Sequence, residues 1–74
     1  MTQNTITVAL EHSPTELYKI LKFEGLVSSG AEAKIVIADG QVQLNGEIER
    51  QKRKKVVAGD IVDFDNNRLI ITLA

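Results

Sequence analysis

Residues 5–10, TITVAL, alternate Ile6, Val8 and Leu10 with Thr5, Thr7 and Ala9, the period-two pattern of a half-buried strand that edges or covers a sheet. The pattern then turns helical. Leu17, Ile20 and Leu21 fall on one side, with Tyr18, Lys19 and Lys22 off that stripe, as an amphipathic helix requires. Ser13 as the cap, Pro14 at the first helical position and Glu16 reaching back predict the start of this helix, and Gly25 its end. Leu26 and Val27 are apolar within a short connection and should pin it into the core. Ser29 with Glu32 then repeats the capping box, Ala31, Ile35 and Ala38 form a ridge for another helix, and Gly40 stops the second helix.

Beyond Gly40 the period returns to two. Val42 and Leu44, the pair Asn45-Gly46 and then Ile48 predict a hairpin closed by a type I′ turn. Continued alternation would place Arg50, Lys52 and Lys54 on the buried face beside Ile48, at several kcal/mol for each unpaired charge, so the strand must end or bulge near Arg50. Val56 and Val57 resume apolar character, Ala58-Gly59-Asp60 turns the chain, and residues 61–64 read as another strand. Asn66-Asn67 opens a last turn into a terminal strand over residues 68–73, in which Ile70 and Ile71 point to opposite faces. The expected core is Leu17, Leu21, Ile35, Val42, Leu44, Ile48, Val62 and Phe64.

With 74 residues the chain supports one domain with one modest core. Cysteine is absent, so packing must stabilise the fold without disulfides, which suits a reducing compartment. No apolar run approaches the roughly 20 residues of a membrane span, and residues 1–4 have neither the basic start nor the apolar run of a leader. A cytoplasmic location is expected.

Charge changes the picture most. Between residues 50 and 55 five of six side chains are basic (Arg50, Lys52, Arg53, Lys54 and Lys55), while the rest of the chain holds four Lys or Arg against ten Asp or Glu. That is +5 in the run against −6 elsewhere, for a net charge of −1; the distribution rather than the total suggests a binding surface. A charge run of this kind is also a common solvated loop or edge guard. Binding gains weight because the run follows a tight hairpin and because Lys22 and Lys34 can add cations from the helices. The aromatic residues are only Tyr18, Phe23 and Phe64, which favours reading of shape and backbone over base stacking.

Catalytic chemistry is hard to assemble here. His12 is the single imidazole, and neither a glycine-rich phosphate loop nor a metal-ligand spacing occurs. Asp60, Asp63 and Asp65 alternate with apolar residues along a strand and lack the glycine-centred loop of a calcium site. No cofactor and no metal site are expected.

The residues Gly25-Leu26-Val27, Ser28-Ser29, Ala33-Lys34, Ile37, Gly40, Val42, Leu44-Asn45-Gly46, Val56 and Gly59-Asp60 resemble the S4-type RNA-binding domain. This is the αL motif, named after the fourth protein of the small ribosomal subunit, and it recurs in pseudouridine synthases and tyrosyl-tRNA synthetases. The resemblance covers about residues 17–64, and the whole chain is most similar to the stand-alone bacterial members of the YbcJ type. It implies an α+β fold, a two-helix αL motif packed on a small, mostly antiparallel sheet with a β-hairpin. It further implies structured RNA, ribosomal or transfer RNA in class, held against Ser29, Lys34, Arg50, Lys52, Arg53, Lys54 and Lys55, to which the charge pattern adds Lys22. Many members carry arginine straight after the serine that opens the second helix, where this chain has Gly30. One phosphate contact of the family therefore lacks its side chain, while Ser29 and the helix N-terminus keep the means to face a phosphate.

The expectation is a monomeric, non-catalytic RNA binder spanning residues 1–74, with any modification of RNA supplied by a partner protein. A docking module for an acidic, ribosome-associated protein is the alternative, since the same cations serve either surface. A β-grasp sulfur carrier has a comparable VNGE and GD stretch but needs a terminal Gly-Gly, and this chain ends Thr72-Leu73-Ala74.

Overall fold

In the computed structural model, which describes residues 3–74, the alternating and helical stretches become nine elements. Their order is β1 (Asn4–Leu10), β2 (Thr15–Glu16), α1 (Leu17–Phe23), α2 (Gly30–Ala38), β3 (Val42–Leu44), β4 (Glu47–Ile48), β5 (Lys55–Val56), β6 (Ile61–Phe64) and β7 (Asn67–Leu73). Met1 and Thr2, part of the stretch read as lacking a leader, lie outside the described residues. Five strands form one sheet in the order β1-β7-β6-β3-β4, with β1 parallel to β7 and the other neighbours antiparallel. β2 and β5 make a separate antiparallel pair. The chain is thus an α+β fold with two helices on a mostly antiparallel sheet.

Turn chemistry sets the hairpins. Asn45 and Gly46 have φ of 54° and 85°, the left-handed pair a type I′ turn requires. Between β6 and β7 the left-handed residues are Asp65 and Asn66, at 49° and 63°; the turn falls one residue before the expected Asn66-Asn67 because Asn67 already pairs with Phe64.

The core joins Val8 and Leu10 of β1, Leu69 and Ile71 of β7, Val62 and Phe64 of β6, and Val42 and Leu44 of β3 to the helix residues Leu17, Ile20, Leu21, Ala33 and Ile37. Val27 and Val56 complete it. Ile70 and Ile71 point to opposite faces as expected, Ile71 inward and Ile70 outward.

Two expected core members are outside. Ile48 is 56% exposed because a two-residue turn pairs Leu44 with Glu47 and Gln43 with Ile48, which sends Ile48 to the outer face with Gln43. The basic residues after β4 therefore never faced burial, and the backbone pairing reaches one residue past Ile48, where Glu49 N–H donates to Val42 O at 2.9 Å. Ile35 is 67% exposed, and Ala31 and Ala38 are exposed as well. Apolar residues surround α2, so its pattern does not choose a face; the side that packs is Ala33 and Ile37.

The helix ends divide the same way. α2 starts as expected, with Ser29 accepting from the Glu32 amide at 3.1 Å. The Glu32 carboxylate, however, accepts from the Ser28 hydroxyl at 2.6 Å instead of reaching back to the cap. α1 does not start at Ser13 and Pro14. Glu16 occupies its cap position without a side-chain bond, and Thr15 and Glu16 are extended, paired with Val56 and Lys55. At the other end of α1, Gly25 (φ 71°) is the left-handed residue, with Gly25 N–H donating to Lys22 O and Leu26 N–H to Leu21 O, the Schellman arrangement. Gly40 closes α2 likewise, and a Cβ there would lie 2.8 Å from the Arg50 guanidinium.

Candidate nucleic-acid interface

The first amides of α1 have no carbonyl of their own helix to donate to. Leu17 N–H donates to Lys54 O at 2.9 Å and Tyr18 N–H to Lys52 O at 3.1 Å. The loop between β4 and β5 thus crosses the start of α1 and caps it with its own backbone. With these carbonyls committed to α1, the side chains of Lys52, Arg53, Lys54 and Lys55 remain exposed, and the loop holds a fixed place on the fold.

Tyr18 ties this loop to the helices. Its amide holds Lys52, and its ring lies beneath Lys34, whose Nζ is 4.7 Å from the ring centroid, within cation–π range. A Cβ at Gly30 would lie 3.8 Å from Tyr18 Cε2 and 3.9 Å from Lys22 Cδ. Lys22, Gly30, Tyr18 and Lys34 are therefore neighbours across the α1–α2 contact, with Ser29 at the start of α2. A Cβ at position 30 would therefore meet only ordinary van der Waals contacts there.

Arg50 stands apart. Its Nη1 donates to Ala38 O at 3.2 Å, a carbonyl left free at the end of α2. That end is roughly 13 Å along the helix from Ser29, at 1.5 Å per residue. Arg50 anchors the hairpin to α2, while the other seven candidate residues gather at the start of α1 and along the α1–α2 contact.

Glu16 sits among these cations and was not among the expected site residues. It pairs with Lys19 Nζ at 3.2 Å and Arg53 Nε at 4.0 Å, its side chain only 16% exposed. Burial alone would raise its pKa and is the largest single influence. The Lys19 hydrogen bond and the charges of Lys19, Lys55 and Arg53 together outweigh it and hold the carboxyl below its ordinary value. Only the Glu16–Lys19 spacing, three residues apart on a helix, was visible in the sequence; Arg53 and Lys55 arrive from far along the chain.

A carboxyl depressed on folding contributes stability above the ordinary carboxylate range and loses it as pH falls through the folded value. Carboxyl-detected NMR should therefore find Glu16 titrating below a glutamate of an unfolded peptide, and moving up in a Lys19→Met variant. A titration at or above the peptide value contradicts the cluster.

His12 is exposed, and no group of three or more His, Asp or Glu able to hold a metal occurs among the described residues. Among the same residues, no helix is long and apolar enough to cross a membrane.

The S4 domain family model matches residues 8–72. "Putative RNA-binding protein YbcJ" of Escherichia coli is 52% identical over 54 residues, 73% of this chain and 77% of that protein. A Shigella flexneri YbcJ matches to the same extent. The solution structure of Escherichia coli YbcJ, described as revealing an αL motif involved in RNA binding, superimposes with a TM-score of 0.65 at 40% identity, covering 97% of this chain and 90% of that one.

Proposed function

The chain belongs to the S4 domain family, and on that footing we propose that it binds structured RNA through the cationic face at the start of α1, without chemistry of its own. The observation that carries this reading is the capping of α1 by the carbonyls of Lys52 and Lys54. That capping gives four consecutive cationic side chains a fixed base beside Lys22 and Lys34. A rigid cationic face reads phosphate positions, and those positions are ordered only in a folded RNA. Ribosomal and transfer RNAs are the target classes that fit.

On this reading the chain is one domain working as a monomer in the cytoplasm, and any modification of the RNA comes from a partner protein. A short RNA stem-loop should bind more tightly than oligo-U of equal length at the same salt, as fluorescence anisotropy would measure. Equal affinity for the two contradicts shape reading. Absence of binding to either, with binding to an acidic protein in its place, would favour the docking alternative.

A further inference from the structure

A groove of about 480 Å³ runs between the end of β1 and α1, within the roughly 300 to 1,000 Å³ of small-ligand sites. Its walls are apolar along the middle, with Leu10 from β1 facing Ile20 and Phe23 from α1. Phe23 is 69% exposed, whereas Phe64 is buried at 9% and the Tyr18 ring is taken by Lys34. Phe23 is therefore the aromatic side chain with a face free for a ligand.

The groove is polarised along α1. Lys19 lies one turn before Phe23, about 6 Å along the axis, and Lys55 lines the same end. Lys55 forms no ion pair among the described residues. Glu24 follows Phe23 at the far end. Of the remaining carboxylates on the wall, Glu16 is held by Lys19 and Arg53 and Glu11 belongs to the loop after β1. Lys55 belongs to the basic run and Lys19 follows the start of α1 that the loop caps, so the lysine-lined end of the groove adjoins the cationic face.

We infer that this groove takes one unpaired nucleotide of the bound RNA, its base stacked on Phe23, its phosphate toward Lys55 and Lys19, and its exocyclic amino group toward Glu24. The inference rests on the RNA-binding reading. A flat apolar ring beside an apolar floor suits a base of any kind, and a carboxylate acceptor suits the amino group of cytosine over uracil, which has none. The protein would then read a stem through phosphates and one bulged position through stacking.

Anisotropy with two RNA stem-loops, identical except for a single bulged cytosine beside the stem, tests this. The parent should prefer the bulged RNA by roughly fivefold or more, the contribution of one stacked base. Phe23→Ala should bind the fully paired stem as the parent does and lose that preference, while Phe23→Trp keeps it. A bulged uracil should gain less than a bulged cytosine in the parent, and equally in Glu24→Gln. Equal binding of paired and bulged stems by the parent, or an unchanged preference in Phe23→Ala, overturns the inference and leaves the RNA-binding reading standing. Failure to bind either stem overturns both.

Discussion

Replacing Lys52, Arg53 and Lys54 together by alanine is expected to flatten the slope of log affinity against log salt by roughly 2 to 3 units, about 0.7 to 0.9 for each phosphate no longer neutralised. Over a fourfold rise in salt this is a difference of roughly 15- to 65-fold in how far affinity falls. The folded state should hardly notice. What these residues give the fold is backbone: the carbonyls of Lys52 and Lys54 cap α1, and alanine retains them. The one ion pair removed, Arg53 with Glu16, spans 4.0 Å with Arg53 70% exposed, and such surface pairs contribute about 0 to 1 kcal/mol. The melting temperature should stay close to the parent's while binding weakens. A variant with the parent's affinity and salt slope would reduce the loop to a solvated cap and leave Lys22, Ser29 and Lys34 to carry the RNA.

Ile37→Ala and Ile35→Ala, two residues apart on α2, should behave oppositely. Ile37 is fully buried, and removing its side chain should cost roughly 2 to 5 kcal/mol. For a chain of this size, whose whole stability is on the order of 4 to 11 kcal/mol, that lowers the melting temperature by roughly 10 to 30 °C. Ile35 is 67% exposed, so its truncation should stay within about 0.5 kcal/mol. Thermal unfolding by circular dichroism decides between them. A larger loss at Ile35 would place the helix the other way round on the sheet.

The contrast shows which kinds of structure were readable along the chain. Features governed by neighbours in sequence were legible: the Asn45-Gly46 turn, the Ser29 cap on Glu32, the glycines closing both helices and the opposite orientations of Ile70 and Ile71. Ile48 was legible too, because a two-residue turn dictates that Ile48 pairs with Gln43; extending the alternation through the turn without counting its residues put it on the wrong face. Ile35 was not legible, since apolar residues surround α2 and only the position of the sheet selects Ala33 and Ile37. The start of α1 was misread for a third reason. The local Ser13, Pro14 and Glu16 signals lost to carbonyls some 35 residues away, and no local pattern announces such a partner.

At the candidate site the run of cations was plain, yet its support was hidden. Nothing in the spacing of Tyr18, Lys34 and Lys52 shows that one tyrosine joins the other two, through its ring and its amide. Arg50 belonged to the run by sequence and is separated from it by geometry, because the last carbonyls of α2 need a donor and its guanidinium lies beside them.

The central claim, that the cations at the start of α1 form the RNA-binding face, is tested most directly by following backbone amide shifts while an RNA stem-loop is titrated into the labelled protein. The perturbed amides should be those of Tyr18, Lys22 and residues 29–34 and 52–55. Shifts gathered at Gln43, Ile48, Asp63 and Ile70, on the opposite face of the sheet, would contradict it.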